Sequence, residues 1–348
     1  MKLKKLFAGV VAAAMIATMS FPAFAEGEEV VPPSGPSIKK TYKLTNAATV
    51  SPAENFTFTA VATKVLRAGM KNGQPVTEED APALTIAQAE YGQGNATVDG
   101  SDKVLAVSHT AAFPNVGVYY YTVTENASTY AGVTTHTGNM LLKVTVAYDE
   151  HDQLTETYAF YTATNENGEG KGTKNQAVEN TYSAGTLDVS KKVTGSLGDK
   201  NKKFDVTVTF TAPAGKTVEA PITYTENDKD KKIESTDWVK GVATATIHLA
   251  HGEHVLFNNI PYDVTYTVEE ADYTAEADGG YDKASYNFSD KTDIKKLDSA
   301  AETVEITNNN GAMIDTGVIL DNAPYMLMLA VVAGGAMTLV IKKRREEE

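Results

Sequence analysis

The 348-residue chain has no cysteine, a single tryptophan and only six histidines. Without cysteine there is neither a disulfide nor a thiolate metal site, so any covalent reinforcement has to come from other chemistry. His109, His136, His151, His248, His251 and His254 share no spacing with paired carboxylates that would define a metal centre, and a glycine-rich phosphate loop is missing. His248, His251 and His254 do gather with Glu253 in HLAHGEH, which reads as a polar turn between strands or as a weak metal site. No cofactor is expected, and the lone Trp238 beside Lys240 reads as a packing residue. Basic residues are also in short supply: 31 Lys and Arg stand against 45 Asp and Glu, a net charge of −14. Such an acidic exterior argues against nucleic acid or anionic lipid as a partner. Amphipathic helical patterning is scarce, with EEDAPALTIAQAEY (78–91) the best candidate.

Long hydrophobic runs occur only at the two ends. Residues 1–25 carry Lys2, Lys4 and Lys5, an apolar run from Leu6, and the small-x-small ending Ala23-Phe24-Ala25, the layout of a cleaved secretory signal. Residues 26–38 are rich in Pro, Gly and Glu and read as a flexible leader. At the other end Pro324 to Ile341 precedes Lys342-Lys343-Arg344-Arg345. An apolar stretch of about 18 residues just spans a bilayer, with the basic cluster left on the cytoplasmic side.

Between these ends the dominant signal is two-residue alternation: NFTFTAVA, GVYYYTVTE, NMLLKVTVAY, TYAFYTAT, KKFDVTVTF and DVTYTVEE. Half-buried strands rich in Val, Thr, Tyr and Phe, separated by polar turns, predict an all-β chain of β-sandwiches. The pattern is duplicated. Each half opens on a lysine-bearing strand, continues with a Phe-x-Phe or Phe-x-Val strand, has a Tyr/Val strand ending in Glu, and closes on a Val/Ile strand ending in Asn-Thr or Thr-Asn. The copies span 39–182 and 186–309, with Ser183-Ala184-Gly185 as the hinge.

Strict alternation of faces decides which polar residues point inward. In the second copy Leu187, Val189 and Val193 place Lys191 inside; Val264, Tyr266 and Val268 place Glu270 inside; Val304 and Ile306 do so for Asn308. In the first copy the same reasoning selects Lys40, Glu125 and Asn180, with Lys43 competing for the lysine position. Such a triple could be a hydrogen-bonded polar cluster. Burying charge is costly, however, and chemistry can remove the charges altogether. Desolvation lowers a lysine's pKa and raises a carboxylic acid's, leaving a free amine lone pair. Held against the Asn carboxamide, that amine can attack the carbonyl and expel ammonia while Glu relays protons. The product is an intramolecular isopeptide bond.

Lys on the first strand, Glu closing YYYTVTE or TYTVEE, and Asn on the last strand, twice over and followed by Thr316-Gly317, resembles the streptococcal-type, sortase-assembled major pilins and their isopeptide-linkage domains. The resemblance implies two tandem Ig-like (CnaB-like) β-sandwiches. It also implies Lys40–Asn180 and Lys191–Asn308 cross-links assisted by Glu125 and Glu270. Residues 310–317 then form a sorting motif and 318–348 the membrane segment, a sorting helix with its basic tail. A sortase would cut between Thr316 and Gly317, although Met313-Ile314-Asp315 lacks the usual Leu-Pro lead. The acyl-Thr316 would pass to a lysine of an identical subunit, Lys174 or Lys171. The expected product is the shaft of a cell-surface pilus, secreted and wall-anchored, with minor pilins and peptidoglycan, reached directly or through a base pilin, as further partners. Contact with the membrane is expected only before sorting. A singly displayed wall adhesin built from the same domains is the alternative, with the 72–100 insert as the sole sizeable extra.

Overall fold

The computed structural model describes residues 35–164 and 169–311. Their regular structure is almost all strand; the only helical pieces among them are single 3-10 turns at Glu78–Asp80, Ser235–Asp237 and Glu276–Asp278. The all-β expectation therefore holds. The helix expected over 78–91 does not form: beyond the Glu78–Asp80 turn the segment gives short strands Leu84–Ile86 and Ala89–Tyr91. Ala89 and Tyr91 are buried with Glu90 exposed between them, so a two-residue rhythm won over the apolar spacing that suggested a helix.

The chain divides into two compact units. Among the described residues one holds 35–47 with Ser51–Ser128 and those of 133–182; the other holds Ala48–Val50, Thr129–Gly132 and 183–311.

The first unit has two five-stranded sheets. One runs in the order Val133–Thr134, Ala177–Tyr182, Ser37–Leu44, Ser101–His109, Leu84–Ile86; the other runs Gly170–Lys174, Leu154–Thr164, Met140–Tyr148, Gly117–Glu125, Phe58–Leu66. Alternation puts Tyr119, Tyr121, Val123, Leu142, Val144 and Val146 into the core, and it ends there: Tyr148, in the same phase, is 59% exposed at the strand's end. NFTFTAVA divides at Thr57 into Glu54–Phe56, where Phe56 pairs with Ala89, and Phe58–Leu66, where Phe58 pairs with Glu125. Phe56 is buried and Phe58 half-buried, because the two belong to different pairings.

The second unit has a six-stranded sheet in the order Lys229–Ile233, Ile222–Glu226, His254–Pro261, Ala184–Thr194, Ala301–Asn309, Ser285–Phe288. Facing it is a three-stranded sheet of Val242–Leu249, Phe204–Thr211 and Thr265–Glu270. Its core gathers Leu187, Val189, Val206, Val208, Phe210, Phe257, Val264, Tyr266, Val304 and Ile306 among others. Ala184 and Gly185, read from the sequence as hinge, are buried residues at the start of the strand. A side chain on Gly185 would lie 2.3 Å from the Ser299 carbonyl, so the backbone approach there demands glycine.

In each unit the first and last strands lie side by side and parallel. Lys40 stands opposite Val178 and Tyr42 opposite Asn180; Lys191 stands opposite Ile306 and Val193 opposite Asn308. The offset is identical: the Asn lies two residues beyond the lysine's partner, on the same face. A long side chain spans that diagonal separation.

Candidate functional site: two buried Lys-Glu-Asn clusters

Each lysine strand and asparagine strand carry their polar residue on the inner face, and the opposing sheet supplies the carboxylate from the end of its Tyr/Val strand. In the first unit Lys40 and Asn180 are fully buried and Lys43 is half-buried. Lys40 Nζ lies 2.9 Å from Glu125 Oε1, and neither side chain has exposed surface. The approach is off the line of a hydrogen bond, so Nζ has no hydrogen-bond partner, nor has Glu125 Oε2. Asn180 Nδ2 donates to the same Glu125 Oε1 at 2.8 Å. Its Oδ1 accepts the His136 backbone N–H at 2.8 Å.

In the second unit Lys191 Nζ donates to Glu270 Oε2 and, at 2.6 Å, to Asn308 Oδ1. Asn308 Nδ2 donates to Glu270 Oε1 at 2.5 Å. Glu269 and Lys192, the out-of-phase neighbours, are exposed. The Tyr286 hydroxyl accepts the Glu270 N–H at 2.9 Å and fixes the end of that strand.

Each amine sits on an aromatic face: Lys40 Nζ is 4.5 Å from the Phe56 ring centre, Lys191 Nζ 4.1 Å from that of Phe204. Phe56 is held edge-on by Tyr42 and Tyr91, Phe204 by Tyr273 and Tyr281. These rings exclude water, and the loss of hydration lowers both lysine pKa values despite the neighbouring glutamates; Lys40 falls to about 8. Phe204→Leu should therefore loosen the second pocket, at a cost of about 1–2 kcal/mol read from the urea midpoint.

Three supports carry no sequence pattern that ties them to the site. The Tyr91 hydroxyl, from the 72–100 insert, lies 2.9 Å from both the Lys40 and the Ser101 carbonyls, so the insert braces the lysine. The histidine-rich turn braces the other one: Gly252 N–H and Glu253 C=O pair with the Lys191 backbone, and His251 Nδ1 accepts the Val193 N–H at 3.0 Å. His248 turns instead to Glu226 and His254 to Asp188, so the three rings have separate partners. The third support is the His136 amide, a backbone group that no side-chain pattern reveals. Phe56 and Phe204 did have a signal, the Phe-bearing strand common to both halves. Trp238 packs, partly buried, against the second core.

Lys174 ends the Gly170–Lys174 strand at the edge of its sheet and is exposed; Lys171 lies on the same strand. Thr316, Gly317, the signal and the 324–341 apolar stretch lie outside the described residues. Among the described residues no helix is long and apolar enough to cross a membrane.

Residues 36–183 match the Spy0128-like isopeptide containing domain, and residues 185–310 match a domain of unknown function. A pilin of Streptococcus pyogenes serotype M1 is 26% identical over 330 residues, 91% of this chain and 93% of the relative. The chain resembles the streptococcal pilins. The crystal structure of the major pilin from Streptococcus pyogenes superposes with a TM-score of 0.51 at 21% identity, covering 79% of this chain and 98% of that one. The T3.2 major pilin of serotype GAS13637 gives 0.50 at 21% identity, with 79% and 96% covered. The pilin likeness in fold thus runs through both units.

Proposed function

We propose that the chain is the shaft subunit of a covalently polymerised surface pilus, each unit locked by its own Lys–Asn isopeptide bond: Lys40 to Asn180 and Lys191 to Asn308. The observation that carries this reading is the recurrence of one arrangement, a desolvated amine, a carboxamide and a carboxyl group in a dry interior, at the same strand offset in both units. A structural polar cluster needs no such repetition.

The chemistry balances without a cofactor. The lysine ammonium gives one proton to its glutamate, the neutral amine attacks the Asn Cγ, the carboxyl passes that proton to Nδ2, which leaves as ammonia, and the carboxylate takes the second proton from Nζ as the C=O re-forms. Each site turns over once, so the chain is not an enzyme in the ordinary sense. Intact-mass measurement of residues 26–316 should show two ammonias missing; a chain of unshifted mass would refute the cross-links.

For assembly, a sortase is proposed to cleave after Thr316 and transfer it to Lys174 of the next subunit, placing the polymer in the pilus on the cell wall. Exposure and position at a sheet edge favour Lys174. Co-expression with the cognate sortase should give a ladder stable to boiling in detergent. Lys174→Arg should reduce that ladder to monomer; a ladder that persists moves the joint to another lysine, Lys171 first. The adhesin alternative is disfavoured by the 72–100 insert, whose Tyr91 is committed to bracing Lys40.

A further inference from the structure

We propose that the backbone N–H of His136 is the oxyanion donor of the first cross-linking site, a group that makes closure of the first unit faster than its side-chain triad alone would allow. The inference rests on the isopeptide reaction proposed above.

The placement has a local cause. Val133 and Thr134 pair antiparallel with Tyr182 and Thr181 of the asparagine strand. Two residues further on, the His136 N–H turns to the Asn180 side chain and donates to Oδ1 at 2.8 Å, which continues the run of contacts along that strand. The two ends of the Asn180 carboxamide are thus sorted: oxygen to a backbone donor, nitrogen to Glu125 Oε1. The Lys40 amine is paired with the same Glu125 Oε1 at 2.9 Å, which holds it beside the carboxamide.

This is what the reaction requires of its electrophile. As the Lys40 Nζ–Cγ bond forms, the C=O π electrons move onto Oδ1, and a fixed N–H already aimed at that oxygen stabilises the charge without reorganisation. When the C=O re-forms, the Cγ–Nδ2 bond breaks, Nδ2 takes its proton from Glu125 and Nζ gives its extra proton to the carboxylate so freed, so the donor at oxygen and the acid at nitrogen never compete. In the second unit the Asn308 oxygen takes its hydrogen bond from Lys191 Nζ itself, so that amine has to leave the oxygen before it can reach the carbon.

A backbone donor is tested by changing the backbone. The full mature chain is made by cell-free translation with a short pulse, and ammonia loss from each unit is followed by mass spectrometry of the cross-linked peptides. His136→Ala keeps the N–H and should close the first unit at the wild-type rate. His136→Pro removes it and should slow that closure by roughly 10²–10³-fold, the usual effect of losing one oxyanion donor. Closure of the second unit serves as the internal clock. If the proline ring prevents folding, seen as loss of circular dichroism, an α-hydroxy acid at position 136 replaces N–H by oxygen with no ring. Wild-type closure rates in the variant that folds overturn the proposal, as does an equal slowing by His136→Ala. A first unit that never loses ammonia even in the wild type overturns the cross-linking reading itself, and is told apart by that control.

Discussion

Asn308→Ala should lower the unfolding midpoint of the second unit by roughly 15–25 °C and restore one ammonia to its mass, leaving the first unit's mass unchanged. Lys191 and Asn308 stand 117 positions apart, and a bond between them closes a loop of that size. The chain-entropy estimate for such a closure is roughly 5 kcal/mol, arising mainly from the states it denies to the unfolded chain. The first and last strands pair in parallel with Asn308 two residues beyond the partner of Lys191, so the proposed bond would form within the native register.

Glu270→Ala should be worse than Asn308→Ala. Both would prevent the proposed bond, but the glutamate variant also leaves the Lys191 amine in a pocket with no exposed side-chain surface and no counter-charge. Breaking a buried pair in this way costs about 3–5 kcal/mol when the survivor stays charged. Glu270→Gln separates the two effects, since it retains a hydrogen-bonding group of the same shape yet cannot relay a proton. Differential scanning calorimetry of the wild type, Asn308→Ala and Glu270→Ala should give midpoints that fall in that order. Equal midpoints for wild type and Asn308→Ala would mean that the bond does not form or does not stabilise.

The inward set Lys40, Glu125, Asn180 and Lys191, Glu270, Asn308 could be read from the sequence because strand alternation is a rigid rule: one face apolar, one polar, and any exception conspicuous. Lys40 against Lys43 was open to the same reasoning, and the burial of the former with the half-exposure of the latter follows the phase of Ile38, Tyr42 and Leu44. Alternation failed where strands break or end. Thr57 interrupts NFTFTAVA, so Phe56 reaches the lysine while Phe58 pairs elsewhere, and Tyr148 falls beyond the edge of the core. The 78–91 segment misled because short strands with Ala and Leu imitate helical spacing over a few residues. Contacts made by backbone atoms or by distant segments, such as His136 with Asn180 and Tyr91 with Lys40, leave no periodic trace, since each depends on where the chain returns in space.

The unlinked first unit should gain stability as pH rises above neutrality, against the usual trend. In Asn180→Ala the bond cannot form, and Lys40 remains an ionisable group inside the sandwich. Burial lowers its pKa from 10.5 to about 8, the loss of hydration outweighing the attraction of Glu125. Below pH 8 both the folded and unfolded chains hold the proton, and folding must bury a charge. Between 8 and 10.5 the unfolded chain binds more protons than the folded one, so unfolding becomes harder with each step upward in pH. The full span of that shift corresponds to roughly 3 kcal/mol, of which most should be visible by pH 9.5. Tyrosines with raised pKa values oppose the gain at higher pH, because the unfolded chain then loses phenolic protons that the folded chain keeps. The measurement is urea unfolding from pH 7 to 9.5 of Asn180→Ala beside the triple variant Lys40→Met, Glu125→Gln, Asn180→Ala, whose pocket keeps these tyrosines and has neither a lysine nor a carboxylate to titrate. Stability of the first should climb relative to the second by about 2 kcal/mol across the window. Parallel curves would mean that Lys40 is already neutral at pH 7 or is still charged at pH 9.5, and either result removes burial to about 8 as the source of its reactivity.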